Sequence, residues 1–366
     1  MTDLLTAPPE VPPQPVGDLS EPLWKIRLRL TRRSLAQNWK LFIANRIGLI
    51  GLVMIGIFAL MAIAHPILLN TVWPPHVYHP INGYDAPVIE KTVVQEVTDP
   101  ITEIDLNTAR VQGNPFIDVG QVLQITQQPA PPTFGSTYPH YLGTDPLGRD
   151  VLSQLLYSTR SAFFLGMIAA LVTVFIATVV GSVAAFFGGW VDSVLMRLAD
   201  LILLVPLLPV LIVVSALFNI SLPQLGLLIG ILGGFGGTAI ILKSQALQVT
   251  VKPFIDAARI AGGGNTHLIF RHVIPNVLPL SFLYMMFTVT DAIALEATLS
   301  FLGLLSIPMS WGIMISIART QGYLLGNLDY WWLIVPAGLA VSLLAAAFFL
   351  VGRAMDEVVN PRLRQR

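Results

Sequence analysis

The chain lacks cysteine altogether and carries few charged side chains. Its 366 residues include no Cys, and Asp, Glu, Lys and Arg together make up 11% of them. The absence of cysteine excludes disulfides, thiolate metal sites and a lipid anchor on cysteine. The charge content is less than half that of an ordinary soluble domain. The formal net charge of zero gives no support to nucleic-acid binding.

A phosphate-binding loop for ATP is also missing from the sequence. The Walker A motif ends in Gly-Lys followed by Ser or Thr, and its lysine reaches the phosphates of the nucleotide. None of the lysines of this chain follows a glycine (Lys25, Lys40, Lys91, Lys243 and Lys252). We therefore expect that the chain is not an enzyme, cannot hydrolyse ATP by the usual route and binds no cofactor itself.

Long apolar runs are what the sequence has in abundance, with hydrophobic residues making up 54% of the chain. A helix needs about 20 apolar residues to cross a bilayer. The run over 201–242 is long enough for two helices, and a break at Asn219–Pro223 divides it. The runs predict an all-α polytopic membrane protein with six transmembrane helices. They begin after Arg46, after Arg160, at Leu201, at Val277 and at Tyr330.

The distribution of Lys and Arg predicts how these helices are oriented. Short loops rich in basic residues remain in the cytoplasm, and most Lys and Arg residues fall on one side if the N-terminus is cytoplasmic. Both termini are then inside. The chain is divided into a cytoplasmic tail with a basic juxtamembrane segment (1–42), the first transmembrane helix (43–69), an extracytoplasmic insertion (70–143), an interfacial amphipathic helix (144–160), a five-helix core (161–355) and a cytoplasmic tail (356–366).

The extracytoplasmic insertion has a mixed character. Short β-like patches occur at Thr92-Val93-Val94 and at Val122-Leu123-Gln124-Ile125, and proline clusters lie at both ends. These patches predict a small subdomain of partly β structure. Either it shields the helix bundle or it forms a docking surface for a partner.

The end of the insertion predicts the start of a helix. Thr144 or Asp145 can cap a helix whose first residue is Pro146, which has no amide hydrogen to leave unsatisfied. Leu147, Val151 and the leucines that follow then fall on one face at helical spacing. The pattern favours an amphipathic helix that lies in the outer interface and leads into the second span.

Residues 250–276, here called the 250–276 segment, form a polar island between apolar runs. Lys252-Pro253 marks a helix start, and Asp256 places a negative charge in the first turn, where the helix dipole favours it. Gly262 stops this helix, and a second short helix over Thr266–His272 is expected to end before Pro275. The pattern predicts a compact two-helix knob that contacts a cytoplasmic protein. An ordinary loop between helices is the alternative.

Two acidic residues fall within the fifth predicted span, where ionisable groups are functional candidates. Asp291 and Glu296 are five residues apart and do not share a tight helical face, which argues against a paired proton site. Glu296 can bond neighbouring backbone or Ser300, and Asp291 is left open between pore lining and helix packing. A proton-driven secondary transporter remains the rival hypothesis. His267 and His272 are also five apart, so we expect no metal site.

The sequence DAARIAGGGNTHLIFRHVIPNVLP in the 250–276 segment resembles the EAA loop of ABC importer permeases. That pattern reads acidic-Ala-Ala, three residues, Gly, nine residues, then Ile-any-Leu-Pro. The departures are an aspartate in place of the commoner glutamate, His272 at the Ile position and Ile274 at the Leu position. The matching residues are Asp256, Ala257, Ala258, Gly262 and Pro275.

Three further motifs resemble the dipeptide, oligopeptide and nickel branch of these permeases. They are GTDPLGRDVLSQLLYSTR from residue 143, EATLSFLG from residue 296 and the tail NPRLR from residue 360. The insertion is longer than that branch leads us to expect. The outer motif contributes Gly143, Thr144, Asp145, Gly148, Arg149 and Asp150.

This resemblance implies a type I ABC importer permease fold in the cytoplasmic membrane of a prokaryote. It implies that the 250–276 segment is a coupling helix seated in a groove of an ATPase, with ATP and Mg²⁺ on two separate ATP-binding cassette subunits. A homologous second permease and an extracytoplasmic binding protein complete the expected assembly. Di- or oligopeptides are the expected substrates, with nickel or another small solute as the alternative.

Overall fold

The computed structural model of the chain describes residue 29 and residues 39–85, 88–92, 122–126, 129–323 and 329–359. Most of the predicted N-terminal tail, the middle of the insertion and the last seven residues of the C-terminal tail lie outside these ranges. Within them the chain is mostly helical, which confirms the predicted all-α fold. The helices are α1 (Arg46–Thr71), α2 (Pro75–Tyr78), α3 (Val151–Phe187), α4 (Gly189–Leu204), α5 (Leu207–Leu217), α6 (Leu222–Phe235), α7 (Gly237–Thr250), α8 (Pro253–Ile260), α9 (Asn265–Leu268), α10 (Ile274–Phe301), α11 (Trp311–Thr320) and α12 (Val335–Val359).

The described residues contain four helical stretches that are long and apolar enough to cross a bilayer. They are α1, α3, the stretch Asn265–Phe301 and the stretch Trp331–Glu357. Two further candidates are bent pairs: α4 meets α5 at 76° and α6 meets α7 at 45°. Counting each pair as one span gives six, the number predicted. The break between α5 and α6 falls at residues 218–221, inside the divided run that the sequence indicated.

The third span begins earlier than predicted and is kinked. Its first half is α4, which starts at Gly189 rather than near Leu201. Val205 and Pro206 then separate α4 from α5. Proline has no amide hydrogen and its ring crowds the preceding turn, so the bend falls where Pro206 stands.

The long helix α3 lies at the centre of the bundle and packs most extensively against α6. Glycines at every fourth residue of α6 allow the two backbones to approach closely. A Cβ atom at Gly230 would lie 2.6 Å from Cβ of Val172, and one at Gly234 would lie 2.8 Å from Cβ of Ile176. Any larger side chain at these positions would push α6 away from α3.

The insertion contains a short antiparallel hairpin, as the β-like patches predicted. Strand β1 (Val88–Thr92) pairs with β2 (Val122–Thr126), with Val88 opposite Thr126. The second strand coincides with its predicted patch. The first strand ends at Thr92, where the predicted patch begins, and Val93 and Val94 lie outside the described residues.

The interfacial helix predicted over 144–160 is not present. Asp145 does not cap a helix, because its carboxylate accepts hydrogen bonds from the amides of Leu147 and Arg149, both at 2.9 Å, and closes a turn. The helix begins at Val151, where Asp150 caps it by accepting from the Ser153 amide at 2.6 Å. It then continues without interruption into the second span, and Val151 is 1% exposed, so its first turns belong to the protein core.

The second short helix of the 250–276 segment does not end before Pro275. A π-helical turn over Ile269–Val273 joins α9 to α10, so one helical stretch runs from Asn265 to Phe301. In a regular α-helix the Pro275 ring would press on the carbonyl of Arg271. The wider turn, in which the Ile274 amide bonds to the carbonyl of Ile269, absorbs the proline without breaking the helix.

Candidate functional site: the 250–276 segment

The helix α8 of this segment forms as its sequence dictates. Pro253 occupies the first turn, where its missing amide hydrogen costs nothing. Asp256 lies in the first turn and Arg259 in the last, so both charges complement the helix dipole. Helix α8 is short, with 8 residues, and such a helix depends on tertiary contacts for its stability.

Those contacts come from a few buried apolar residues. The side chain of Ile255 is fully buried and packs in one cluster with Val180 and Ala185 of α3 and with Val273 and Val277. Leu268 in α9 is fully buried as well. Burying an isoleucine contributes about 1.5–3 kcal/mol. The segment is therefore anchored to α3 and α10 rather than hanging from the bundle.

The remaining surface of the segment is open and partly apolar. Asp256, Ala257 and Gly262 are exposed, and Ala258 is half-buried. Ile260 is 88% exposed at the end of α8, and Phe254 and Phe270 are exposed nearby in sequence. These exposed apolar side chains make the segment a candidate contact surface.

Gly262 ends α8 in a left-handed conformation, with φ of +89°. The Gly262 amide donates to the carbonyl of Arg259 and the Gly263 amide to that of Ala258, both at 3.0 Å. This is the Schellman arrangement, which needs a positive φ at the residue after the helix cap. A Cβ atom on Gly262 would meet nothing within 4 Å, so glycine is required here for its backbone and not for space.

Arg259 links the segment to the C-terminal end of α3. Its guanidinium lies 5.8 Å from the centre of the Phe186 ring and 4.0 Å from the Asp256 carboxylate. All of these groups are near the surface, so each contact is worth less than about 1 kcal/mol. Their effect is to fix the direction of α8 against α3.

Of the predicted residues, the structure brings four together and leaves one apart. Asp256, Ala257, Ala258 and Gly262 share α8 and its cap, whereas Pro275 lies in the continuous helix beyond the π-helical turn. The rings of His267 and His272 lie 5.5 Å apart. In the described ranges no group of three metal-ligating side chains forms, so this pair has no third ligand there.

The outer motif at 143–150 forms a buried polar network. The Asp145 carboxylate accepts hydrogen bonds from Nε (2.7 Å) and Nη2 (2.5 Å) of Arg149. It accepts a third from the side-chain amide of Gln154 at 2.9 Å. Gly143 has φ of +73°, and a Cβ atom there would lie 2.5 Å from the carbonyl oxygen of Ala130. The motif thus joins the end of the insertion to α3.

His140 also belongs to this network, although nothing in its sequence context indicated it. Its Nδ1 lies 2.9 Å from Asp150 and its Nε2 lies 3.1 Å from Asp85. Burial alone lowers the pKa of His140, but its hydrogen bonds to the two carboxylates outweigh burial and raise the pKa above the ordinary histidine value. Burial, with a smaller contribution from Asp150, raises the pKa of the neighbouring Tyr78 to about 12.

The two acidic residues of α10 have different surroundings. Glu296 is 2% exposed and accepts a hydrogen bond of 2.6 Å from the Ser300 hydroxyl, as the sequence predicted. Asp291 is exposed on the surface of the chain and makes no hydrogen bond or ion pair with any described residue. The two carboxylates therefore do not form a proton-sharing pair.

Known proteins are similar to this chain over most of its length. A dipeptide transport system permease protein, DppC, of Bacillus subtilis is 32% identical over 257 residues, 69% of this chain and 77% of that protein. A putative peptide transport system permease protein of Brucella suis is 31% identical over 228 residues, 62% and 74% of the two chains. The oligopeptide transport system permease protein OppC of Bacillus subtilis is 33% identical over 230 residues, 62% and 73%.

A family comparison agrees with these relatives and with the resemblance noted in the sequence. Residues 177–365 match the family described as binding-protein-dependent transport system inner membrane component. The match includes the whole 250–276 segment and α10. The chain therefore belongs to this family and is a membrane permease component of an ABC transporter, not an enzyme.

Proposed function

We propose that this protein is the permease subunit of an ATP-driven importer and that the 250–276 segment is its contact with a separate ATPase. The observation that carries the proposal is the division of α8 into two faces. One face is anchored through Ile255, and the other exposes Ile260 and Ala257. A helix that is anchored on one face and exposes apolar side chains on the other can bind a partner and transmit its movement to the bundle.

The proposed route of that force runs through α3 and α10. Ile255 lies in one buried cluster with residues of both helices, and Arg259 faces the Phe186 ring at the end of α3. Because packed cores resist deformation, movement of α8 by an ATPase would be carried into the two helices with which it is packed. Both run through the whole bundle, so the outer end would respond as well.

The proposed orientation follows the predicted charge distribution. Both termini and the 250–276 segment lie in the cytoplasm, and the 143–150 network lies on the outer side of a prokaryotic cytoplasmic membrane. Two ATP-binding cassette subunits bind ATP and Mg²⁺, a homologous second permease completes the pathway, and an outer binding protein delivers the substrate. The lipid bilayer surrounds the exposed apolar helix faces.

Short peptides are the proposed substrates. The relatives cited above carry names that refer to dipeptides, oligopeptides or peptides. Nickel and other small solutes remain the alternatives that the sequence left open. We propose peptides because the relatives' names agree on them.

Uptake by the reconstituted transporter tests this function. The chain, purified with its partner subunits and placed in liposomes with the binding protein, is expected to accumulate dialanine only when ATP reaches the ATPase side. A protonophore should leave this uptake unchanged. Uptake that needs no ATP and that the protonophore abolishes would instead establish a proton-driven transporter.

A further inference from the structure

Asp291 is an exposed carboxylate within a span, and the coupling role of the protein does not use it. It lies on α10, ten residues before the helix ends at Phe301. At a rise of about 1.5 Å per residue this places it about 15 Å from that end. A carboxylate at such a depth is costly if it faces lipid, and such groups face water or a partner.

Small side chains follow Asp291 along this face of α10. Ala294 is exposed one turn further along, and Thr298 is half-buried two turns further along. On the neighbouring helix α12, Ser342 and Ala346 are exposed together with the apolar Leu343 and Phe349.

Helix α1 shows the contrast. Its exposed side carries mainly large apolar residues, including Ile50, Val53, Ile57 and Leu60. That side is suited to lipid. The groove between α10 and α12 holds the Asp291 carboxylate, which is costly in lipid, so this groove is suited to a water-filled space.

A cavity of about 180 Å³ opens beside Asp291 in this groove, lined by Phe287, Thr290 and Phe349. The centres of the two phenylalanine rings lie 5.6 Å apart. The Thr290 hydroxyl lies 3.1 Å from the carbonyl of Ala345 and is already engaged as a donor. The Asp291 carboxylate is therefore the only charged group among the residues that line this cavity.

A carboxylate beside aromatic rings is suited to a cation. Carboxylates form strong charge-assisted hydrogen bonds with ammonium groups, and aromatic ring faces attract the same groups. We propose that Asp291, with Phe287 and Phe349, forms a subsite in the translocation pathway that binds the ammonium group of a transported peptide. This inference rests on the proposed function, because it requires the groove to line the pathway.

The free amino terminus of a peptide supplies this ammonium group. An α-amino group has a pKa near 8, so most peptides with a free amino terminus are positively charged there at neutral pH. A lysine or arginine of the second permease has the same chemistry and could occupy the cavity instead. The tests below distinguish these two sources.

Water access can be tested with a single introduced thiol, because the chain contains no cysteine. In the assembled transporter in liposomes, Asp291→Cys should react with a charged, membrane-impermeant methanethiosulfonate reagent. Leu60→Cys on α1 should not react. The modification is measured as an increase in the mass of this chain. Failure of the Asp291→Cys thiol to react both with and without ATP would overturn the pathway position.

Selectivity tests the ammonium subsite itself. Uptake of dialanine and of N-acetyl-dialanine is compared in wild type and in Asp291→Asn, which keeps the shape and removes the charge. Any preference of the binding protein is common to both transporters and cancels in the comparison. We expect the preference for the free amine to fall about tenfold or more in Asp291→Asn. Thr298→Val removes an uncharged polar group on the same helix and should retain the preference for the free amine.

Three outcomes would contradict the proposal. An unchanged preference in Asp291→Asn with intact ATP-driven uptake overturns the subsite alone. If the second permease is lost when Asp291→Asn is purified, Asp291 binds a lysine or arginine of that subunit. This result overturns the assignment of the subsite to the substrate. Absence of ATP-driven peptide uptake in wild type overturns the proposed function, and the subsite with it.

Discussion

At the residue scale, the outer network around Asp145 and Asp150 depends on charges that compensate each other in a buried place. Arg149 and Asp145 are both buried, and His140 bridges Asp150 to Asp85. Removing one member of such a group leaves the other charge without compensation, which costs about 3–5 kcal/mol. The network therefore fixes the N-terminal end of α3 to the insertion.

His140 gives this network a pH dependence with a defined sign. Its pKa is raised in the folded protein, so its charged form stabilises the fold. That contribution is fully present below the ordinary histidine pKa, about 6.5, and is lost as pH rises through the raised value. We expect hydrogen exchange of the amides around 140–154, corrected for intrinsic rates, to become faster across that window.

The control for this prediction is His140→Gln, which keeps a hydrogen-bonding side chain without the titration. Its exchange should be faster than that of wild type at low pH and should no longer change across the window. The same pH dependence in both proteins would show that another group is responsible.

Single residues differ in how far the sequence could predict them. The Ser300–Glu296 bond was predictable because its partners are one helical turn apart. The His140 bridge was not, because Asp85 lies 55 residues earlier in the chain and only the folded insertion brings the two together. The role of Asp145 was wrongly predicted, because a capping residue and a turn residue have the same sequence signature.

At the element scale, α8 is the helix whose two faces define its role. Ile255 holds it to the bundle, and Ile260 projects from its end into solvent. An apolar side chain so exposed has no structural function within the chain. It is suited to a pocket on the proposed ATPase.

Replacing Ile260 tests that contact. Ile260→Asp should weaken binding of the ATPase subunits at least tenfold, because it brings a charge into an apolar contact. The affinity can be measured by titrating purified ATPase against the permease in detergent. Folding should not change, because the side chain is almost fully exposed.

Ser193→Asp is the matched control for Ile260→Asp. It adds the same charge at an exposed position near the start of α4, on the same side of the bundle by the proposed topology. It should leave ATPase binding intact. Equal binding by Ile260→Asp and wild type would exclude Ile260 from the interface.

Elements were predicted well where the local signal was unambiguous. Pro253, Asp256 and Gly262 set the limits of α8 as expected. The stretch Asn265–Phe301 was wrongly divided, because proline normally ends a helix and the π-helical turn that accommodates Pro275 has no sequence signature. The start of α3 was misplaced because Asp145 and Asp150 are both suitable caps, and Asp145 instead closes the turn that precedes the helix.

At the scale of the whole molecule, the six spans followed directly from the length of the apolar runs. The packing of those spans did not follow, because lipid and protein interiors are equally apolar and hydropathy does not distinguish them. The α3–α6 contact did have a sequence signal, which was the interval of four residues between Gly226, Gly230 and Gly234. The bend at Pro206 lay within a run that hydropathy reads as continuous.

The central claim is that work done by an ATPase enters the molecule through the 250–276 segment. Gly262 is the most sensitive position in this segment, because its positive φ costs about 1–2 kcal/mol for any residue with a side chain. Gly264 is a matched control: it is also exposed with free space around it, but its φ is −70°. Valine is tolerated in that conformation.

The most direct test compares Gly262→Val with Gly264→Val in the reconstituted transporter, measuring substrate-stimulated ATP hydrolysis and uptake together. We predict that Gly262→Val inserts and assembles normally but loses most of its uptake and of the stimulation of ATPase by substrate. Gly264→Val should retain both. Uptake and stimulated hydrolysis at wild-type levels in Gly262→Val would contradict the account.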